Sequence, residues 1–180
     1  MAMITRRVFV GGALAGVAFG VLVPRFAAAQ APAPADPNAG AAAVLRLALS
    51  SARMQARVCE IVLAKDVRPE LRGLAETIVA FRREQVPRLE TVAREHGVAV
   101  VPVLEFEHQV ALDNLAPLDF LALGRRFVEL QQQALEQEIT IWRRGQGAAE
   151  PWLAALAGEI LPRIEALLAD ARKGAVVVVP

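Results

Sequence analysis

Apolar residues recur along this chain at alternating spacings of three and four, the spacing of one face of an α-helix. Val44, Leu47, Ser51, Met54, Val58 and Ile61 form the first such seam, predicting a helix over about 41–65. A second helix is expected over roughly 69–96, with Leu71, Leu74, Ile78, Phe81, Gln85, Leu89 and Val92 inward. A third covers 118–144, with Phe120, Leu123, Phe127, Leu130, Ala134, Gln137 and Ile141 on its seam. The fourth, over 150–173, turns Leu153, Leu156, Ile160, Ile164, Leu167 and Ala171 inward.

The breaks between these runs carry ordinary stop signals. Pro69 suits the first turn of the second helix, and Gly97 ends it. Gly145 and Gly147 end the third. Pro87 and Pro162 each remove a backbone donor inside a helical run, so a kink is expected at both, opening a groove between helices two and four. Residues 98–104 are β-branched and contain Pro102, which reads as an extended crossover, and 105–115 is a candidate short helix. Two short-looped pairs joined by this long connection predict an all-α, ferritin-like four-helix bundle over 41–173. The tail 174–180 (GAVVVVP) is β-prone.

The N-terminus reads as an address. Thr5-Arg6-Arg7-Val8-Phe9 precedes an uncharged Gly/Ala-rich apolar run, and Ala27-Ala28-Ala29 supplies small residues before Gln30. Arg6 and Arg7 match a twin-arginine export signal over 1–29, with cleavage after Ala29. The alternative is a retained N-terminal membrane anchor, although the run is shorter than the roughly 20 apolar residues that span a bilayer. Residues 30–40 are Pro/Ala-rich and read as a disordered spacer. The expected mature protein is periplasmic or secreted and does not span a membrane. Removal of 1–29 leaves seventeen basic against nineteen acidic residues, a net charge of −2, which gives no reason to expect nucleic acid as a partner. The lone Cys59 cannot form an intramolecular disulfide and reads as a small apolar residue.

Candidate chemistry is sparse. A carboxylate-bridged metal pair needs Glu and His side chains pointing inward from the bundle helices. The middle layers of the four seams hold Ser51, Met54, Val58, Ile78, Phe81, Gln85, Phe127, Leu130, Ala134, Ile160, Ile164 and Leu167, with no carboxylate or imidazole among them. The weak metal candidates are Glu105 and His108, a Glu-x-x-His in the connection, which otherwise reads as a charged surface turn. His96, before the helix-ending Gly97, suits the C-terminal carbonyls. The pairs Arg82-Arg83, Arg125-Arg126 and Arg143-Arg144 read as solvated faces partnered by Glu84, Glu129 and Glu138. Gln85 and Gln137 sit on seam positions and are expected to bond each other across the bundle if both are buried. No nucleophile–His–acid set, Gly-rich phosphate loop or Cys-x-x-Cys is present, so neither catalytic residues nor a cofactor are expected.

Several local patterns resemble a known family. Ile78-Val79-Ala80 ahead of a polar stretch, Leu118-Asp119-Phe120, and Leu161-Pro162 with Ile164-Glu165 are similar to segments of the ferritin-like secreted family known as domain of unknown function 4142, often labelled "predicted outer membrane protein". The resemblance covers about 41–172 and implies a ferritin-like bundle. Family histidines correspond here to Arg82, Gln131 (or Leu130) and Leu167, while Glu60 keeps a glutamate common in helix one. The expected function is that of an exported cell-envelope bundle that binds a small apolar ligand or an envelope partner protein, or serves a structural role, without a metal centre. The alternative is a ferritin-like metal-binding or redox protein.

Overall fold

A computed structural model describes residues 39–178 of the chain. Arg6, Arg7, the cleavage position after Ala29 and most of the expected spacer lie outside the described residues, as do 179 and 180. Among the described residues the structure is all-helical: α1 (Ala39–Leu63), α2 (Pro69–Glu95), α3 (Phe106–Leu115), α4 (Phe120–Gln146) and α5 (Pro151–Val178). Four are long, and α3 is the short helix of the connection.

Each long helix exists because its apolar stripe needs cover. Pro69 opens α2, and Gly97 follows it at φ +67, a left-handed conformation that glycine adopts without a Cβ penalty. Pro87 and Pro162 both lie inside continuous helices. Here burial of the surrounding apolar side chains outweighs one missing backbone hydrogen bond. The seam predicted for the last helix is buried in full, from Leu153 to Ala171.

Cross-helix pairs fix the directions. Gln55 with Glu138 and Cys59 with Gln131 run antiparallel between α1 and α4. Arg53–Glu90 and the Gln55–Arg82 bond do the same for α1 and α2. Arg88–Glu159 and Glu84–Arg163 link α2 to α5, and Arg143–Glu165 and Glu136–Arg172 link α4 to α5. It follows that α2 and α4 point the same way. The connection must therefore travel back along the molecule, and α3 is the part of it that packs on α1 and α4.

Three expectations are corrected. The segment expected as a β-prone tail continues α5 to Val178. Helical continuation lets Gly174 approach Leu74 so closely that an added Cβ would lie 3.2 Å from its Cδ2. The first helix starts at Ala39, two residues inside the expected spacer. In α4 the buried face is rotated from the predicted seam: Gln137 is exposed, and so is Phe120, at 68%. The row Val128, Gln131, Leu135, Glu138, Trp142 and Gly145 is buried instead, beside Phe127, Leu130 and Ala134. A helix with three neighbours buries a wide face, and its centre need not follow the most apolar row. Phe120 also holds a φ of 48, a strained value for a bulky residue, at the first position of α4.

Candidate functional site

The rotation of α4 brings a charged pair into the core. Arg82 of α2 and Glu138 of α4 are both 0% exposed. Arg82 Nη1 donates to Glu138 Oε1 at 2.9 Å and Nη2 donates to Oε2 at 2.7 Å, a bidentate fork. Trp142 Nε1, one helical turn from Glu138, donates to Oε1 at 3.2 Å. Gln55 Nε2 donates to Oε2 at 2.9 Å, and Gln85 Nε2 reaches Oε1 at 3.5 Å. The carboxylate thus accepts five hydrogen bonds from four side chains. Arg82 also donates to the amide oxygens of Gln55, at 2.8 Å, and Gln85. Gln55 closes the network by donating to Ser51 Oγ at 3.0 Å.

Such dense pairing is what a buried charge requires, because an ion moved out of water loses several kcal/mol of solvation. Two atoms escape the accounting. Arg82 Nε and Gln131 Oε1 are buried without a hydrogen-bond partner in the described structure. Gln131 sits against Cys59, donating to its sulfur at 3.6 Å. Burial pushes the Cys59 thiol up to about 12, against the lowering influence of Arg82, so it remains an inert thiol.

These observations overturn several sequence expectations. A carboxylate does occupy the middle of the core, and it is Glu138. Arg82 is not part of a solvated face; it pairs with Glu138 rather than with Glu84, which instead faces Arg163. Gln85 is buried as expected but bonds Arg82 and Glu138, while Gln137 points away from the core. The sequence cue was present: Gln131 and Glu138 share one stripe with Val128, Leu135 and Trp142. Arg126–Glu129 is an exposed pair at 3.4 Å as read, whereas Arg143 is exposed but pairs with Glu165 rather than with Glu138.

Glu105 and His108 are brought together at the start of α3, each with a partner of its own. Arg46 Nε lies 3.1 Å from Glu105 Oε1. The Glu105 backbone N–H donates to Ser50 Oγ at 2.8 Å, and the same hydroxyl lies 2.7 Å from His108 Nδ1. The cluster fastens α3 to α1. Partial burial lowers the His108 pKa from its ordinary value, outweighing the raising influence of Glu105, Glu107 and Glu138. Among the described residues no group of three or more His, Cys, Asp or Glu side chains is placed to hold a metal ion. His96 ends α2 and stacks on Trp152, ring centroids 4.0 Å apart.

The groove expected between α2 and the last helix is bridged over: Arg88–Glu159 and Arg163–Glu84 span it, and Arg163 lies over the Phe81 ring. The cleft beside Pro87 opens on the other side, towards α1 and the connection.

Residues 26–173 match the family described as Domain of unknown function (DUF4142). The chain belongs to the DUF4142 family. No curated protein and no solved structure matches it. Within this DUF4142 chain no described helix is long and apolar enough to cross a membrane.

Proposed function

We propose that this chain is an exported helical protein of the cell envelope that acts by binding or as a structural element, with a guanidinium–carboxylate pair where a ferritin-like bundle would hold a metal. One observation carries the reading: Glu138 is saturated. Both of its oxygens are held by Arg82, and Gln55, Gln85 and Trp142 add three further donors. A cation entering this layer would have to displace a fixed internal cation and would find no imidazole or second carboxylate there. The Arg6-Arg7 motif and the Ala27-Ala28-Ala29 step support export. The test is elemental analysis of the purified protein for Fe, Mn, Zn and Cu. Substoichiometric traces are expected, and one bound metal per chain would overturn the reading.

A ferritin-like metal or redox protein is the second reading. It is favoured by the helix directions, since α2 and α4 run the same way and the connection returns along the bundle, as in ferritin-like folds. The same metal analysis separates the two. Export is tested by N-terminal sequencing of the protein recovered from the periplasm, where a start at Gln30 is expected. Substitution of Arg6 and Arg7 by lysine should hold the chain in the cytoplasm.

A further inference from the structure

The cleft beside Pro87 lies between α1, α2 and the crossover, with a volume of about 480 Å³. That falls within the roughly 300–1,000 Å³ usual for small-molecule sites. Its charge is one-sided: four arginines line it and no acidic residue does. Two of the four are already neutralised. Arg82 is held by Glu138, and Arg53 is held by Glu90 at 2.7 Å and by the Val101 carbonyl at 2.8 Å. Arg57 and Arg83 are exposed and make no ion pair with a described residue. They stand on the two helices that flank the cleft, Arg57 about one turn from Arg53 and Arg83 about two turns from Glu90. Behind them, Arg82 Nε is the buried donor without a partner.

The remainder of the lining is apolar apart from Gln109: Ala56, Val86, Pro87, Pro102, Val103 and Leu104. Val103 is 68% exposed, and the neighbouring Val101 and Phe106 are 53% and 78% exposed. The connection thus leaves a greasy wall facing solvent beside two unpaired guanidinium groups. Their planar donor forks suit a carboxylate, and a monovalent carboxylate is cheaper to desolvate against Val86 and Pro87 than a phosphate dianion.

We propose that this cleft binds a small amphiphile carrying one carboxylate, with the anion between Arg57 and Arg83 and the alkyl portion along Val86, Pro87 and Val103. This rests on the reading of the chain as a binding protein and names its site. The test is calorimetric titration of the purified chain with decanoate below its micelle threshold, beside decanol, acetate and decyltrimethylammonium. Saturable one-to-one binding of decanoate is expected, with decanol and acetate each at least tenfold weaker and the ammonium not bound. The double variant Arg57→Gln/Arg83→Gln should weaken decanoate tenfold or more, and Val86→Gln should weaken it several-fold. Arg172→Gln, on the far side of the molecule, should leave it unchanged, and circular dichroism checks that each variant is folded. The proposal is overturned if decanoate fails to bind, if decanol binds equally well, or if the double variant binds as the parent does. It is also overturned if only vesicles of anionic lipid retain the protein, since the face would then be a membrane-surface patch. A metal-free protein that ignores decanoate would remove this ligand and leave the binding reading standing, whereas stoichiometric metal would remove that reading whatever decanoate does.

Discussion

Arg82–Glu138 and Arg143–Glu165 are the same pair of residue types joined in two different media. The first is fully buried and bidentate; the second joins α4 to α5 through one contact of 3.2 Å, with its side chains 65% and 47% exposed. In water an ion pair gains little, because solvent already solvates each partner and screens their attraction. In the core neither partner can be solvated, so each is needed to hold the other, and Gln55, Gln85 and Trp142 supply what remains. The difference is less about the strength of the pair than about what happens when one member is lost.

The sharpest way to break that contrast is Glu138→Leu. It leaves the Arg82 guanidinium buried without an anion and should cost about 3–5 kcal/mol of unfolding free energy in urea denaturation. Adding Arg82→Met removes the stranded charge, so the double variant should recover part of that loss in spite of the partners left to Gln55 and Gln85. If the two single losses simply add in the double variant, the side chains act independently and the network account fails.

A smaller effect is expected at the α1–α3 fastening. Because burial lowers the His108 pKa, the unfolded chain takes up a proton there more readily than the folded one. The stability that this contributes is complete above the ordinary value of 6.5 and is lost as pH falls through the lowered folded value. His108→Gln should therefore show a shallower loss of stability between about pH 7 and pH 5 than the parent, the window set by that ordinary value. A steeper loss in the variant would reverse the assigned direction. The smallest effect belongs to Arg143→Ala, which should cost no more than about 1 kcal/mol and less still in high salt. A loss there as large as that of Glu138→Leu would mean that exposure does not set the value of these pairs.

Much of the architecture was legible from periodicity. The seam of α5 is the one that the spacing of apolar residues predicts, and that of α2 is buried up to Leu89, with Pro69 and Gly97 bounding the helix as expected. In α1 the seam holds at Val44, Ser51, Met54 and Val58, but Leu47 and Ile61 are half-buried while Leu45, Ala48, Ala52, Gln55, Cys59 and Val62 lie deepest. The α4 seam was legible only in part. Leu123, Phe127, Leu130 and Ala134 are buried, whereas Gln137 and Phe120 are exposed. Ranking rows by apolarity favoured the wrong edge of a wide face, since Glu138 and Gln131 count as polar wherever they lie. The run Gly174–Val178 misled for a related reason: β-branched residues favour strands on their own, yet α5 continues to Val178, with Gly174 and Ala175 still packed on the core and Val176 exposed.

The sequence by itself determined that the chain is helical, where its long helices lie, and which family it resembles, because these depend on spacings within one segment. Only the tertiary structure decided that Arg82 meets Glu138, that His108 meets Ser50, and that Arg57 and Arg83 share a cleft with Val86. The physical reason is that a charge can be buried only where another chain segment brings its partner. Residues 82 and 138 are 56 positions apart, a separation that no local pattern spans.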